Sequence, residues 1–251
     1  MVESSAWRHK ITGLSVPPDP STYSNPTPPT PGSLDLLASG YGDKKYSTTL
    51  ADFSWKEFFA HQRGGEWLES LREDWSRSYD FILIDSRTGL IDSGGVCTVQ
   101  MPDFLVLVFT ANDQSVTNGL KVVAAVQEQR QSFAFERGPL AVVPLLSRWE
   151  GKEEVDLAEV WIKRVSDQVG VLTSLWLPKD FSPRDFLEKT RIPYVPRFSF
   201  GEPLPALTHS LTDPDLPGFS YDSIARLLHA RLSNAGSIID PSYTQVSFKA
   251  G

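Results

Sequence analysis

The chain has 251 residues, of which 40% are hydrophobic, and it contains seven Trp and 14 Phe. This is enough apolar material for the core of one α/β domain or two small ones. The net charge of −7 and a pI of about 5.1 argue against a nucleic-acid-binding surface as the dominant feature. We therefore expect no nucleic-acid partner.

The numbers and positions of the cysteines and histidines exclude two further classes of protein. The single cysteine, Cys97, excludes an internal disulfide framework, and the four histidines are scattered without the spacing of a zinc site. The N-terminus has no apolar signal-peptide core, and no apolar run approaches the ~20 residues that span a bilayer. The sequence predicts a soluble, cytoplasmic protein without a membrane segment.

The first part of the chain is rich in proline. Seven of the residues between 17 and 31 are prolines, which fix φ and lack a backbone N–H. We interpret residues 1–32 as an extended or disordered linker, with docking of a proline-recognising module as the alternative. A folded domain is expected over 33–233, followed by a flexible tail over 234–251.

Apolar runs alternate with amphipathic stretches through the expected domain. Strands are predicted at 81–84, 104–109, 140–146 and, more weakly, 192–198. Helices are predicted at 66–77, 116–130, 156–169 and 221–232, and a short capped helix after Asp52. In the third long helix Leu157, Val160, Trp161 and Val165 are expected to face inward. This alternation predicts an α/β fold with a doubly wound, mostly parallel sheet.

Polar residues follow the predicted strands. Asp85 comes directly after the first run, at the edge of the sheet where ligands of such folds bind. Right-handed crossovers would bring Thr110, Ser147 and Phe198 to the same edge. A carboxylate there could hold Mg²⁺ through water, and the glycine-containing loop after it could approach a phosphate. Capping of a helix or formation of a turn is the alternative function of such an aspartate.

Two segments together resemble a known family. Tyr79-Asp80-Phe81-Ile82-Leu83-Ile84-Asp85-Ser86-Arg87-Thr88-Gly89-Leu90 is followed by Gln100-Met101-Pro102-Asp103-Phe104-Leu105-Val106-Leu107-Val108. This combination resembles the ParA/MinD family of deviant Walker-A ATPases, of the SIMIBI class of P-loop NTPases. The likeness is strongest to bacterial members with Asp-Ser-Arg-Thr-Gly at Walker B, and it covers most of residues 33–232.

The resemblance implies roles for individual residues. Asp85 would be the Walker-B aspartate that positions Mg²⁺ through a water molecule. Ser86, Arg87, Thr88 and Gly89 would form a switch loop that senses the γ-phosphate. Ser147 and Arg148 would lie near the nucleotide base. Family members commonly act as ATP-sandwiched dimers, so a protein partner or a homodimer is expected.

Structural roles are an alternative for two arginines, Arg87 and Arg148. Arg87 could act as an arginine finger in a partner subunit, or it could pair with a nearby carboxylate. Arg148, together with Trp149, could stack on a base or form a surface cation–π pair. The residue types alone leave these alternatives open.

The phosphate loop of the family is not found in the sequence. Neither Lys-Gly-Gly-x-Gly-Lys-[Ser/Thr] nor Gly-x-x-x-x-Gly-Lys-[Ser/Thr] occurs. We therefore expect a P-loop NTPase-like sheet that lacks the first strand–loop–helix unit. Catalysis in this class depends on positioning and charge stabilisation by that loop, so the lone chain should not be a competent ATPase. Mg-ATP is expected only if a phosphate loop is supplied elsewhere, and the alternative is a non-catalytic, protein-interacting pseudo-ATPase.

Overall fold

A computed structural model describes residues 52–86, 95–131, 138–200 and 204–243. The chain divides into two units, Met1–Gln62 and Arg63–Gly251. In the first unit, helix α1 (Trp55–His61) begins after Ser54, whose hydroxyl accepts a hydrogen bond from the Glu57 amide at 3.3 Å. This is the short capped helix predicted after Asp52, and Ser54 is its N-cap residue.

The described part of the second unit consists mainly of helices. Its α-helices and strands are α2 (Gly64–Ser78), β1 (Phe104–Phe109), α3 (Asp113–Gln131), β2 (Ala141–Leu146), α4 (Val155–Thr173), α5 (Pro183–Thr190), α6 (Pro205–Thr208), α7 (Pro217–His229) and α8 (Ala235–Ile239). A π-helical turn, Val96–Gln100, precedes β1, and a 3₁₀ turn, Pro196–Ser199, follows α5.

The two strands are parallel neighbours. Their register runs from Phe104 opposite Ala141 to Phe109 opposite Leu146, with α3 between them in the chain. The fold is therefore mixed α/β with a two-stranded parallel sheet. Consecutive apolar residues in β2 predicted a strand covered on both faces, and residues 142–146 are indeed all buried, whereas Ala141 at the start of the strand is half-buried.

The main hydrophobic core lies where β2 meets α4, α5 and α7. It includes Val143, Leu146, Val165, Val169, Phe186, Leu187 and Leu227, each with no measurable exposure. A smaller cluster joins Val99 of the π-helical turn, Val126 of α3 and Leu140 just before β2. Burial of these side chains is the dominant favourable term in folding.

The predicted doubly wound sheet is not confirmed, because only two strands occur in the described ranges. The run at 81–84 forms no strand, and Phe81 and Leu83 are 50% and 86% exposed. The run at 192–198 is reduced to one parallel bridge between Trp149 and Pro193, followed by the 3₁₀ turn. Both runs have apolar residues of the right type, but a strand also needs a hydrogen-bonded neighbour along its length.

Two further expectations differ from the structure. In α4, Val165 is buried as predicted, but Leu157 and Val160 are 53% and 62% exposed. Within the expected flexible tail, residues 235–239 form α8, in which Ala235 and Ile239 are buried. These two apolar side chains give the segment a face to pack against the core, whereas residues 244–251 lie outside the described ranges.

Candidate functional site

The carboxyl ends of β1 and β2 meet at one edge of the sheet, here called the carboxyl edge. Thr110 and Ser147 follow the last paired residues, Phe109 and Leu146. The Ser147 amide donates to the Phe109 carbonyl oxygen at 2.8 Å, which continues the ladder by one bond. The structure thus brings together two of the polar positions that the strand pattern had assigned to this edge.

The loop after β1 uses its polar groups to start α3. Asn112 Oδ1 accepts a hydrogen bond from the Ser115 amide at 2.8 Å, and Asn112 Nδ2 donates to Thr110 Oγ1 at 2.7 Å. Ser115 Oγ accepts from the Thr110 amide at 3.1 Å. This is the capping arrangement that begins a helix, so these side chains already have a local structural role.

The segment after β2 carries Arg148 at the surface. Arg148 has a left-handed backbone (φ 54°), and its guanidinium lies 5.0 Å from the centre of the Tyr194 ring. Trp149 is buried, and its ring is approached by the guanidinium of Arg191 at 5.6 Å. Of the two alternatives for Arg148, the structure contains a cation–π pair, although the aromatic partner is Tyr194 and not Trp149.

Backbone bonds fix this pair of aromatic residues. The Trp149 amide donates to the Ile192 carbonyl oxygen at 2.9 Å, and the Tyr194 amide donates to the Trp149 carbonyl oxygen at 2.8 Å. The two segments therefore run alongside each other beyond the strands. Arg148 is held beside Tyr194 by this short ladder.

Asp85 lies on the irregular segment 80–86 and is exposed. In the part of the chain that the structure describes, its carboxylate makes no hydrogen bond or ion pair with residues of the carboxyl edge. Ser86 is half-buried and has an interaction partner. Arg87, Thr88 and Gly89, the other residues of the predicted switch loop, lie outside the described residues.

The described side chains do not by themselves fit a bound Mg-nucleotide. Mg²⁺ favours near-octahedral oxygen ligation, usually with one or two carboxylates, waters and substrate phosphates. The ranges 52–86, 95–131, 138–200 and 204–243 contain no group of three His, Cys, Asp or Glu side chains that could hold a metal ion. The donor that the sequence pattern assigned to this task is a single exposed carboxylate, that of Asp85.

One concavity of the described residues lies at the other end of the sheet. Phe104 and Ala141, which begin β1 and β2, line an open groove of about 400 Å³ together with Trp176 and Arg231. No sequence pattern predicted a function for Trp176 or Arg231. They belong to segments far apart in the chain, and no local motif connects them.

None of the helices in the described residues has both the length and the apolar character that crossing a bilayer requires. No protein-family model, curated protein or solved structure matches this chain. The likeness to ParA/MinD ATPases therefore remains a prediction from the sequence segments that carry it.

Proposed function

We propose that the chain is the part of a ParA/MinD-type nucleotide-switch domain that follows the phosphate loop. As a lone chain it acts in the cytoplasm by binding a protein partner, or a second copy of itself, and not by hydrolysing ATP. The resemblance supports the type of domain. The missing phosphate loop and the exposure of the Walker-B-like segment support an interaction role.

The observation that carries the proposal is the state of residues 81–85. Phe81 and Leu83 expose 50% and 86% of their surface, next to the exposed carboxylate of Asp85. Among the described residues, the ring of Phe81 lies beside His229 of α7, with ring centres 5.9 Å apart. Exposed large apolar side chains that lie close together in the sequence, as these two do, are a common feature of protein-binding surfaces. A segment of strand-forming residues can also pair with the strand of a partner.

A second candidate is nucleotide binding at the carboxyl edge. It is favoured by the positions of Thr110, Ser147 and Arg148 beyond two parallel strands, where open α/β sheets bind ligands. An exposed guanidinium beside Tyr194 also offers a flat surface on which a base could stack. Two observations argue against nucleotide binding: the local capping bonds of Thr110 and the absence of a phosphate loop from the sequence.

Calorimetric titration with Mg-ATP and Mg-ADP separates the two candidates. The proteins are the wild-type chain, Asp85→Ala, and Asp167→Ala as a matched control, an exposed aspartate of α4. We expect no saturable heat with either nucleotide up to millimolar concentration. Saturable binding that is lost in Asp85→Ala and retained in Asp167→Ala would overturn the proposal, because the chain would then supply its own phosphate contacts.

Sedimentation velocity over a range of concentrations tests the interaction role. Leu83→Glu places a charge on the exposed segment, and Val160→Glu, at a site 62% exposed on α4, is the matched control. Concentration-dependent dimerisation that only Leu83→Glu abolishes would identify a second copy as the partner. If the wild type is monomeric, co-purification with the same two variants tests a different protein. Equal effects of the two substitutions would contradict a role for residues 81–85.

A further inference from the structure

The groove at the amino end of the sheet has a mixed lining that suits a small ligand. It is bordered by Phe104, Pro139, Ala141, Leu175, Trp176, Arg231, Leu232 and Ser233, and its volume is about 400 Å³. Ligand sites in proteins typically measure roughly 300–1,000 Å³ and combine apolar walls with a few polar groups. The groove is at the opposite end of the strands from Thr110 and Ser147, so an inference about it does not depend on the proposed function.

The apolar walls are held in place and partly open to solvent. Trp176 Nε1 donates a hydrogen bond to the Val142 carbonyl oxygen at 3.1 Å, which fixes the indole against β2. Leu175, next to it, is 58% exposed, and Leu232 on the other side is only 4% exposed. A ligand that covered Leu175 would remove apolar surface from water while meeting a wall that is already ordered.

Arg231 is the one charged residue among those that line the groove. In the described residues, its guanidinium has no hydrogen bond and no ion pair. The other residues that line the groove carry no charge, so Arg231 places a single positive charge beside an otherwise uncharged lining. A guanidinium recognises a carboxylate through two parallel N–H donors.

The backbone at this position is in an uncommon conformation. Arg231 and Leu232 have φ values of 49° and 67°, in the left-handed region that disfavours residues with a Cβ. The turn is kept by hydrogen bonds from the Arg231 amide to Leu228 and from the Leu232 amide to Leu227, at 3.0 and 2.9 Å. Left-handed residues directly after a helix are a common way of ending it. Here they end α7 with Leu232 buried and Arg231 exposed.

Ser233 is the other polar residue of the lining, and its hydrogen bonding limits how much negative charge a ligand could carry in the groove. Ser233 Oγ donates its proton to the Ala230 carbonyl oxygen at 2.6 Å, so the hydroxyl is not available to donate to an anion. A phosphate dianion would require more than one cationic or N–H donor for its charge. We propose that this groove binds a small monocarboxylic acid with an apolar body, of the size of a medium-chain fatty acid, with its carboxylate on Arg231 and its apolar body against Phe104, Leu175 and Trp176.

The test uses the full chain and a matched pair of probes, octanoate and 1-octanol, in calorimetric titrations. Arg231→Gln removes the charge, Arg231→Lys retains it without the bidentate geometry, and Leu175→Glu adds a repelling carboxylate at an exposed site. Arg148→Gln is the matched control, because Arg148 is also an exposed arginine with a left-handed backbone, at the other end of the sheet. Circular dichroism of each variant establishes that it is folded.

We expect saturable binding of octanoate, at least tenfold weaker binding of octanol, and at least a tenfold loss of octanoate affinity in Arg231→Gln and Leu175→Glu. Arg231→Lys should lose less, and Arg148→Gln should bind as the wild type does. The fluorine resonance of Trp176 in 5-fluorotryptophan-labelled protein, assigned with Trp176→Phe, should shift on binding. No saturable octanoate binding, equal binding of octanol, or unchanged affinity in folded Arg231→Gln would overturn the proposal. So would a wild-type dimer that Leu175→Glu dissociates, because the groove would then be covered by a second copy.

Discussion

The indole N–H of Trp176 is hydrogen-bonded to the main-chain carbonyl oxygen of Val142, with 3.1 Å between nitrogen and oxygen. Val142 is 1% exposed and belongs to β2, whereas Trp176 follows α4, so this bond joins two layers of the fold. A buried carbonyl oxygen needs such a partner, because leaving it without one has a desolvation cost.

The substitution Trp176→Phe tests this bond. Phenylalanine preserves most of the apolar contact but cannot donate a hydrogen bond to Val142. We expect the free energy of unfolding to fall by about 1–3 kcal/mol, the usual cost of a buried polar group left without a partner. Urea denaturation followed by circular dichroism measures it. An unchanged free energy of unfolding would mean that water replaces the indole at the Val142 carbonyl group.

Phe186 provides a test of the core itself. It is fully buried in α5, and its ring lies edge-on to Trp176 with 4.9 Å between ring centres. Phe186→Ala should lower the free energy of unfolding by about 3–5 kcal/mol, through lost burial and the cavity that remains. Phe200→Ala is the matched control, because Phe200 is 91% exposed and should change stability little. Equal losses in the two variants would contradict the packing described for α5.

The strands and long helices could be predicted from the sequence where the local pattern and the tertiary contacts agree. The run 104–109 is the observed β1, and the predicted helix at 116–130 falls within α3. The run at 81–84 has the same kind of residues and is not a strand. Local residue types are not sufficient there, because strand pairing depends on segments distant in the chain.

Helix faces were harder to predict than helix positions. Helix α4 has apolar residues on more than one side, and the structure buries Ile162, Val165 and Val169 while Val160 remains exposed. An apolar pattern that is wide enough for two faces cannot identify which one meets the core. The groove could not be predicted from the sequence for a related reason, because its lining residues come from four separate stretches of the chain.

Helix α5 was missed although a recognisable signal marks its start. Ser182 Oγ accepts a hydrogen bond from the Asp185 amide at 3.2 Å, and Asp185 Oδ2 accepts one from the Ser182 amide at 2.7 Å. This reciprocal capping box, followed by Pro183 at the first helical position, is a known N-terminal signature. The Ser-Pro-Arg-Asp sequence could therefore have predicted the helix.

Removal of that cap gives a further prediction. Ser182→Ala deletes the acceptor for the Asp185 amide and should lower the free energy of unfolding by about 1 kcal/mol. Ser76→Ala is the matched control, since the Ser76 hydroxyl only donates to the Arg72 carbonyl oxygen within α2, at 2.8 Å. Thermal unfolding of both variants measures the difference. If the two variants melt at the same temperature, the capping box does not stabilise α5 in the folded protein.

A bidentate ion pair between α4 and α5 predicts a dependence of stability on pH. Arg184 donates to both carboxylate oxygens of Glu159 at 2.7 and 2.8 Å, and it also contacts Glu188 at 2.7 Å. These hydrogen bonds to Arg184 lower the pKa of Glu159 below its ordinary value of 4.5, and they raise the pKa of Arg184. Arg184 keeps its charge throughout the accessible pH range, so the pH dependence of the pair comes from the Glu159 carboxylate.

The direction of this pH dependence follows from the linkage between proton binding and folding. Because the pKa of Glu159 is lower in the folded state, the pair stabilises the protein above pH 4.5 and loses that effect as the pH falls through the lowered pKa. Arg184→Gln should therefore lower the melting temperature at pH 7, by less than Phe186→Ala does, since both partners are partly exposed to screening solvent. The difference from the wild type should shrink below pH 4.5 and in high salt.

The matched control is Arg197→Gln, because Arg197 is an exposed arginine of the 3₁₀ turn. Melting curves across pH measure both variants. A deficit in Arg184→Gln that stays constant from pH 7 to strongly acidic pH would mean that packing of the arginine stem, and not its charge, joins the two helices.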